Sequence, residues 1–455
     1  PVGKSMLSCD ASGPVAMMVT KIIVDPHAGE VAMGRLFSGT VTRGMELWVA
    51  GMPNVQRTQT VSLSVGADRI AVDQMEAGNI VAIAGLKDAI AGSTISSDPD
   101  MEPFEKIAHY TEPVVTVAIE AKHMKDLPKL VEVLRSVAKA DPSIQVEINN
   151  ETGEHLLSGM GELHLEITIY RIVNDHKIDI KSSPPIVVYR ENIKKKGGPF
   201  EGKSPNKHNR FFVEVESLPE NIIEAMKTGE IQTEGKIKDA KELANKLQEL
   251  GMDREEARGV VGFSGQNIFI DATKGIQYLN EVIELCKQGF EEAMNLGPLA
   301  QEKVSGIKVR LVDAKLHEDS IHRGPAQVIP AFRSAVYGAM ATAGRILLEP
   351  MTKIHINCPE SVMGDTLREI QQRRGVIEEI NQEGDVSIIV AQAPVAEMFG
   401  FASAIRGATQ GRALWSTENA GFVPVPSELQ PKIVEQIRTR KGLKPEPYDA
   451  SYYSG

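Results

Sequence analysis

The first hundred residues alternate apolar and polar positions over short runs, a pattern typical of half-buried β-strands. Strand-like runs within residues 16–95 are separated by turn residues, among them Asp25, Pro26 and Gly29. Many short strands at close spacing, with turns between them, favour a closed barrel. We therefore predict a β-barrel over residues 1–104.

Apolar positions change period near residue 110, and strand-like and helix-like runs then follow one another. The order strand, helix, strand, strand, helix, strand is that of a split βαβ sandwich. In the first helix, Leu127, Leu130 and Leu134 recur at helical spacing. The same order of elements returns later in the chain. We therefore predict ferredoxin-like domains over residues 110–189 and 348–426.

Residues 190–347, between these domains, combine charged helical stretches with a strand and a long helix. The strand-like run 304–316 leads into the polar string HEDSIHRGPAQVIP, and a helical run, 331–347, follows. The small residues of that run, SAVYGAMATAG, predict close packing against a sheet. An amphipathic helix and a tail close the chain over residues 427–455, and we expect both to pack back on the middle domain.

The polar string before the long helix predicts a short, stiff loop that carries His322 and Arg323. Gly324 and Pro325 form a turn signal, and glycine admits backbone geometry that other residues resist. Loops between a strand and a helix often carry binding residues. The alternative is that His322 only caps or packs against the start of the helix.

A second basic segment, GKSPNKHNR, occupies residues 202–210 and follows the linker-like KKKGGP. Its serine, asparagine and histidine side chains, beside lysine and arginine, can hydrogen-bond phosphates or base edges. The alternative is a solvated hairpin turn. Two basic loops at one end of a domain would favour phosphate binding.

Composition narrows the function classes. The 455-residue chain carries a formal net charge of −11, which argues against a protein that coats nucleic acid with its whole surface. A local basic surface stays possible, because exposed charges are screened beyond about 8 Å at physiological salt. The chain contains no run of 18 apolar residues, so no membrane span is predicted. Three widely separated cysteines show no metal-ligand spacing and fit a reducing cytoplasm.

Two glycine-containing strings could be taken for nucleotide loops. The GKS of residues 3–5 ends like a phosphate-binding loop, but no strand precedes it and no helix start follows. The string GVVGFSG, residues 259–265, lacks the lysine and the helix context. We therefore expect no complete GTPase domain in this chain.

Histidines beside carboxylates could act as metal ligands or acid–base groups. Glu162 and Glu166 can share a helix face, but His164 points away from it, so no zinc site is predicted. His27 lies in a turn without partner ligands and is interpreted as structural.

The loop at His322 also carries His317, Glu318 and Asp319. These groups would bind one metal only if the loop folded back on itself. Our interpretation is instead that the two carboxylates orient the ring of His322 or raise its pKa.

Several strings resemble the elongation factor 2 family, the translocation factors of archaea and eukaryotes. They are VDPHAGEVAMGRLFSGTVTRGMEL, SGMGELHLEI, SPNKHNRF, LHEDSIHRGPAQ and EMFGFASAIRGATQGRA. The resemblance covers essentially the whole chain, and the HRGP string favours an archaeal member. It implies a multidomain α+β protein: a β-barrel, two ferredoxin-like split βαβ domains, and an elongated α+β domain between them.

In that family a separate domain binds GTP and Mg²⁺, so the resemblance implies no cofactor and no enzymatic activity for this chain. The chain would be the ribosome-binding arm that promotes translocation of tRNA and mRNA. We expect a monomeric, cytoplasmic protein without membrane contact. Its expected partners are the rRNA of both ribosomal subunits, tRNA and mRNA at the decoding site, and the diphthamide biosynthesis enzymes.

The resemblance also assigns site residues. His322 corresponds to the histidine that the family converts to diphthamide, at the tip of the elongated domain. RNA contacts are expected from two tip loops, through Lys203, Ser204, Pro205, Asn206, Lys207, His208, Arg210, Asp319, Ile321, Arg323, Gly324 and Gln327.

Two other functions stay open. The chain could serve as a protein substrate for the diphthamide-synthesising enzymes, a role compatible with the first. It could also be an independent ATP-using enzyme, which would require a phosphate loop within residues 190–345. The weak string at 259–265 is the one candidate for such a loop.

Overall fold

The computed structural model describes residues 2–454 except 26–28, 67, 106–112, 149–153, 232, 234–236 and 238. His27, interpreted above as structural, lies outside the described residues. The chain divides into two compact units, Pro1–Ile186 and Val187–Gly455. Among the described residues, no helix is long and apolar enough to cross a membrane.

The first unit begins with a short helix and an eight-stranded antiparallel sheet, which forms a half-barrel around one apolar core. The sheet order is β5-β4-β10-β1-β2-β9-β6-β7, and β3 pairs with β8 separately. Val19, Leu36 and Ile83 are fully buried in the core. The elements are α1 (Val2–Leu7), β1 (Ala16–Asp25), β2 (Gly29–Ser38), β3 (Thr40–Thr42), β4 (Glu46–Val49), β5 (Val55–Arg57), β6 (Thr60–Val65), β7 (Asp68–Val72), β8 (Gln74–Glu76), β9 (Ile80–Ala84) and β10 (Thr94–Ser96).

The first unit ends with a sheet of order β12-β13-β11-β14, which is the split βαβ arrangement. Leu130, Val133 and Leu134 form the buried face of its first helix, and the helical spacing predicted Leu130 and Leu134 among them. The elements are β11 (Val115–Ala121), α2 (Leu127–Ala140), β12 (Gln145–Ile148), β13 (Glu154–Gly159), α3 (Glu162–Asn174), β14 (Ile180–Ser182) and β15 (Ile186–Val187).

The sequence pattern of α3 predicts Leu163, Ile167, Tyr170, Ile172 and Val173 as its apolar positions, and this prediction is wrong in part. Leu163, Ile167 and Tyr170 are exposed, whereas Leu165 and Ile172 are buried against the sheet. The helix carries apolar residues on two faces, so its spacing alone does not determine which face is buried.

The second unit contains the sheet β17-β18-β22-β20-β19, on which α7 and α8 pack. Phe211, Phe269, Phe290 and Phe332 meet in its core, with ring centroids 5.1–5.9 Å apart. The elements are β16 (Arg190–Ile193), β17 (Gly197–Lys203), β18 (Arg210–Ser217), α4 (Glu220–Lys227), α5 (Ala240–Glu249), α6 (Arg254–Arg258), β19 (Val260–Ser264), β20 (Asn267–Asp271), α7 (Leu279–Asn295), β21 (Lys303–Val304), β22 (Ile307–Lys315) and α8 (Pro325–Thr342).

The bounds of α8 differ from the predicted 331–347. The helix starts at Pro325, where a missing N–H costs nothing, and it tolerates Pro330 inside. It ends before Gly344, which has a left-handed φ of 76°. Leu347 therefore belongs to the following strand, not to the helix.

The chain closes with a second split βαβ sheet, in which β26, β23, β25 and β24 lie side by side. The sequence pattern over residues 395–406 predicts one helix, but the structure has a 3-10 turn, Val395–Glu397, and a separate helix after Gly400, whose φ is 75°. The elements are β23 (Arg345–Pro359), α9 (Glu360–Gln371), β24 (Val376–Glu383), β25 (Val386–Pro394), α10 (Phe401–Thr409), β26 (Leu414–Pro424) and α11 (Gln430–Arg440).

The C-terminal helix and tail contact the domain of α7 and α8. The guanidinium of Arg438 donates to the carbonyl of Leu299 at 2.8 Å, and the rings of Tyr337 and Tyr453 lie 5.5 Å apart. These contacts anchor the last residues on the surface that supports the long helix.

Candidate nucleic-acid interface

The loop between β17 and β18 (residues 204–209) is a closed hairpin turn. The N–H of Ser204 donates to the carbonyl of Asn209, and the N–H of Asn209 donates to Oγ of Ser204, both at 2.9 Å. Lys207 has a left-handed φ of 62° and donates its N–H to the carbonyl of Ser204 at 2.7 Å. The turn thus buries Ser204 and Asn209 and leaves Lys207 in solvent.

The loop between β22 and α8 (residues 316–324) contains a short 3-10 turn, Ser320–Arg323. The carboxylate of Asp319 begins this turn by accepting the N–H of Ile321 at 3.0 Å. Gly324 has φ −69° and ψ 168°, which any residue adopts. The expectation of special backbone geometry at Gly324 is therefore wrong; the residue precedes α8 as its N-cap.

Side-chain amides join the two loops. Nδ2 of Asn209 donates to the carbonyl of His322 at 2.7 Å, while its Oδ1 accepts the N–H of His317 at 3.1 Å. Asn206 adds a second donor to the His322 carbonyl at 3.2 Å, and its N–H donates to Oε1 of Gln327 at 2.9 Å. Asn209 is fully buried, so both ends of the segment 317–322 are held from inside the domain.

Three imidazole rings meet where the loops touch. The ring centroids of His322 lie 4.5 Å from His317 and 4.8 Å from His208, and His208 lies 4.9 Å from His317. Within the described part of the chain, no group of His, Cys, Asp and Glu side chains is arranged to hold a metal ion. The neighbours of the His322 ring are thus other histidines, while Asp319, expected to orient it, caps the 3-10 turn.

Arg323 lies beneath its own loop, with 5% of its surface exposed. Its Nη1 donates to the carbonyls of His317 and of Glu318, the latter at 2.7 Å. Its Nη2 pairs with the carboxylate of Glu281, in the first turn of α7. The guanidinium also lies 4.2 Å from the ring centroid of Tyr278. Arg323 therefore does not face solvent as the expected RNA contact would.

The other expected contact residues divide by exposure. Ile321 is a large apolar residue with 80% of its surface exposed. The exposed members are Pro205, Lys207, His208, Arg210, Asp319 and Ile321; the half-buried ones are Lys203, Asn206, His322, Gly324 and Gln327; Ser204 is buried. Of the exposed cations, Arg210 is paired with an acid, because its Nη1 lies 3.0 Å from the carboxylate of Glu201.

Three further residues shape this site, and the sequence pattern did not assign a role to them. Asn209 stands inside the string that was singled out, and a second asparagine beside Asn206 was an available signal. Glu281 and Tyr278 left no signal, because they precede Arg323 by more than 40 positions and no spacing rule connects them.

The weaker candidate motifs occupy ordinary structural positions. The GKS residues lie in α1, and the string 259–265 covers β19 and the first residue of the turn that leads to β20. His164 bridges backbone and side chain: Nδ1 accepts the N–H of Met160 at 3.2 Å, and Nε2 lies 3.0 Å from Asp141. Neither glycine-containing string lies between a strand and a helix, as a phosphate loop would.

Four domain families match successive parts of the chain. They are elongation factor G domain 2 (residues 14–98), elongation factor G domain III (110–184), elongation factor G domain IV (229–344) and the elongation factor G C-terminus (346–433). Domain IV includes the β22–α8 loop.

Curated relatives align along nearly the whole chain. Elongation factor 2 of Thermoplasma volcanium is 63% identical over 453 residues, which are 100% of this chain and 62% of the relative. Elongation factor 2 of Picrophilus torridus is 62% identical with the same coverage. Elongation factor 2 of Thermococcus kodakarensis is 56% identical over 446 residues, 98% of this chain and 61% of the relative.

Proposed function

Because the chain belongs to the elongation factor 2 family, we propose that it is the ribosome-contacting arm of an archaeal translocation factor. The chain spans 62% of the length of its Thermoplasma volcanium relative. GTP hydrolysis with Mg²⁺ is accordingly part of the proposal for the whole factor and is assigned to residues outside this chain. The arm would bind rRNA and reach tRNA and mRNA at the decoding site.

The observation that carries this proposal is the amide bridge between the two loops. Asn209 and Asn206 hold the carbonyl of His322, so two segments more than 100 positions apart form one surface. Lys207 and Arg210 are exposed in and directly after the first loop, and the apolar Ile321 is exposed on the second. Lysine and arginine contacts to phosphates position a protein on RNA without reading its sequence. Such contacts suit a factor that must act on every tRNA and codon.

His322 is the proposed site of diphthamide. Its ring is half-buried against His208 and His317, and its carbonyl is fixed by the amide bridge. A cationic extension on this ring would add hydrogen-bonding reach to a loop whose base is held in place. The proposal thus assigns the modified side chain to the RNA contact and the surrounding residues to its support.

A replacement experiment tests the function. In a chimera, this chain takes the place of the matching part of the Thermoplasma volcanium relative, and translocation on archaeal ribosomes is followed by toeprinting. The chimera should translocate at a rate close to that of the relative. Lys207→Glu should slow translocation by about tenfold, because one phosphate contact becomes a repulsion.

Lys274→Glu is the matched control, since Lys274 is 84% exposed at its side chain and lies in the same unit but outside both loops. It should leave the rate unchanged. Equal rates for the Lys207→Glu and Lys274→Glu chimeras would contradict the assignment of the loops to RNA contact.

A second role, as substrate of the diphthamide-synthesising enzymes, is favoured by the half-exposed position of His322 on the joined loops. Mass spectrometry of the His322 peptide, after expression in an archaeal host with the pathway, should show the added group. An unmodified peptide from this chain beside a modified one from the intact relative would contradict the substrate role for the chain as given.

A further inference from the structure

The clamp beneath the β22–α8 loop, formed by Arg323, Glu281 and Tyr278, places a cation where water does not reach. The Arg323 side chain is 4% exposed, whereas its ionic partner Glu281 is 55% exposed at the side chain. Burying a charge is costly unless it is paired and hydrogen-bonded. The contacts that offset the desolvation of the guanidinium therefore indicate the role of Arg323.

The two ends of the guanidinium group bind different elements. Nη1 takes the carbonyls of His317 and Glu318, which lie before the 3-10 turn of the loop. Nη2 takes the carboxylate of Glu281 on α7. A planar guanidinium is suited to this task, because its donors are fixed in one plane and can bind several acceptors at once.

Tyr278 covers the face of the guanidinium and immediately precedes α7. Its ring centroid lies 4.2 Å from the Arg323 Cζ atom. Its backbone has a left-handed φ of 64°, an uncommon conformation that is costly for a bulky aromatic residue. An outlier of this kind persists where surrounding contacts enforce it, here directly at the clamp.

We propose that Arg323 is a positioning residue that ties the β22–α8 loop to α7, and that Glu281 and Tyr278 complete this clamp. The clamp holds the lower side of the loop, while Asn209 holds both ends of the segment 317–322. His322 is thereby fixed against its neighbouring histidines before any RNA is bound. The inference rests on the proposed function, because the benefit of a preorganised loop is expressed in ribosome binding.

Glu281→Ala separates this proposal from a purely electrostatic role. Removal of a negative charge near an RNA-contacting surface should tighten binding if charge alone matters. The clamp predicts the reverse: the affinity of the 455-residue chain for archaeal ribosomes falls about threefold to tenfold, because the buried cation loses its partner and the loop loosens. Amide exchange of residues 317–324, measured by mass spectrometry, should rise at least about tenfold.

Glu284→Ala is the matched control, because it removes the same charge from α7 one turn away. Glu284 is 77% exposed at its side chain and pairs with Lys287, not with Arg323. It should leave amide exchange unchanged and binding equal or slightly tighter. If Glu281→Ala behaves as Glu284→Ala does in both measurements, the proposal is overturned.

Tyr278→Phe and Tyr278→Leu provide a second pair at a position that is 38% exposed. The phenyl ring keeps the aromatic face and should preserve slow exchange in residues 317–324, whereas leucine should accelerate it. Equal exchange in both variants would remove Tyr278 from the clamp. If the unsubstituted chain fails to bind ribosomes, the proposed function fails, and the exchange measurements still decide whether the clamp exists.

Discussion

Glu191 on β16 is a buried carboxylate held entirely by backbone donors. It accepts the N–H groups of Leu299, Ala300 and Glu302 at 2.7–3.1 Å. Burial raises its pKa to about 7, against the lowering effect of these hydrogen bonds. A Cβ on Gly297 would lie 2.3 Å from its carboxylate oxygen, so a larger residue there would force the carboxylate to move. One side chain thus organises the segment that Arg438 of the C-terminal helix also contacts.

The raised pKa of Glu191 predicts a pH dependence of stability. Its folded pKa of about 7 exceeds the ordinary 4.5, so the folded state holds this proton more tightly. Protonation of Glu191 therefore stabilises the folded state fully below about pH 4.5. This stabilisation is lost as the pH rises through about 7, which lowers the free energy of unfolding by up to about 3 kcal/mol. The free energies of unfolding of the unsubstituted chain and of Glu191→Gln, measured in urea from pH 4.5 to 7.5, should differ by an amount that shows this loss.

The subtraction in that experiment is necessary because other groups titrate nearby. Burial lowers the pKa of His155, which acts in the opposite direction as the pH falls below about 6.5. That effect is common to both proteins and cancels in the difference. A difference in unfolding free energy that stays flat across the window would show that Glu191 does not titrate there.

At the scale of elements, the contact between β17 and α8 holds the first loop in place. A Cβ on Gly202 would lie 2.2 Å from the carbonyl of Ala331, and one on Gly197 would lie 2.3 Å from the carbonyl of Ala339. The strand therefore approaches the helix backbone directly, where α8 presents alanines. The small residues of α8 predicted this close packing, and Gly202 stands just before the loop that carries Lys207.

Gly202→Ala should lower the free energy of unfolding by about 1–3 kcal/mol, because the new methyl group overlaps a backbone oxygen that cannot rotate away. Gly364→Ala in α9 is the control, since no atom lies within 4 Å of a Cβ there. It should raise stability by about 0.5–1 kcal/mol. Chemical denaturation measures both, and a neutral Gly202→Ala would contradict the close approach of β17 to α8.

At the scale of the whole molecule, the chain carries a net charge of −11, and the joined loops present exposed Lys207 on this acidic background. Lys207 lies in one loop and Arg210 directly follows that loop at the start of β18, while Ile321 is exposed on the other loop. An acidic remainder would discourage binding of RNA elsewhere on the surface, because like charges repel phosphates. The proposed contact with RNA should therefore depend on few cations, and the removal of each one should lower the affinity for RNA.

Lys207→Gln should flatten the dependence of ribosome affinity on salt. Each phosphate contact adds about one unit to the slope of log affinity against log salt, so its loss should lower the slope by about 1. Lys274→Gln, outside the loops, should leave the slope unchanged. Binding measured between 50 and 200 mM salt, as is usual for such interfaces, checks this; equal slopes for both variants would mean that Lys207 meets no phosphate.

The sequence by itself determined the kinds and order of elements, since these depend on near neighbours. The spacing of Leu130 and Leu134 predicted the buried face of α2, and the alternation of strands and helices predicted both split βαβ sheets. It also located the two loops that meet. Apolar spacing failed at α3, where two faces carry apolar residues and only the packed sheet selects Leu165 and Ile172.

Only the tertiary structure decided what each polar residue of the loops does. In the sequence Arg323 is one more cation beside a histidine, but the fold brings Glu281 from 42 positions away and buries the guanidinium. Asn209 likewise gains its role from carbonyl and N–H groups more than 100 positions distant. Local propensities act over a few residues, whereas burial and the partners of a buried charge are determined by contacts between distant parts of the chain.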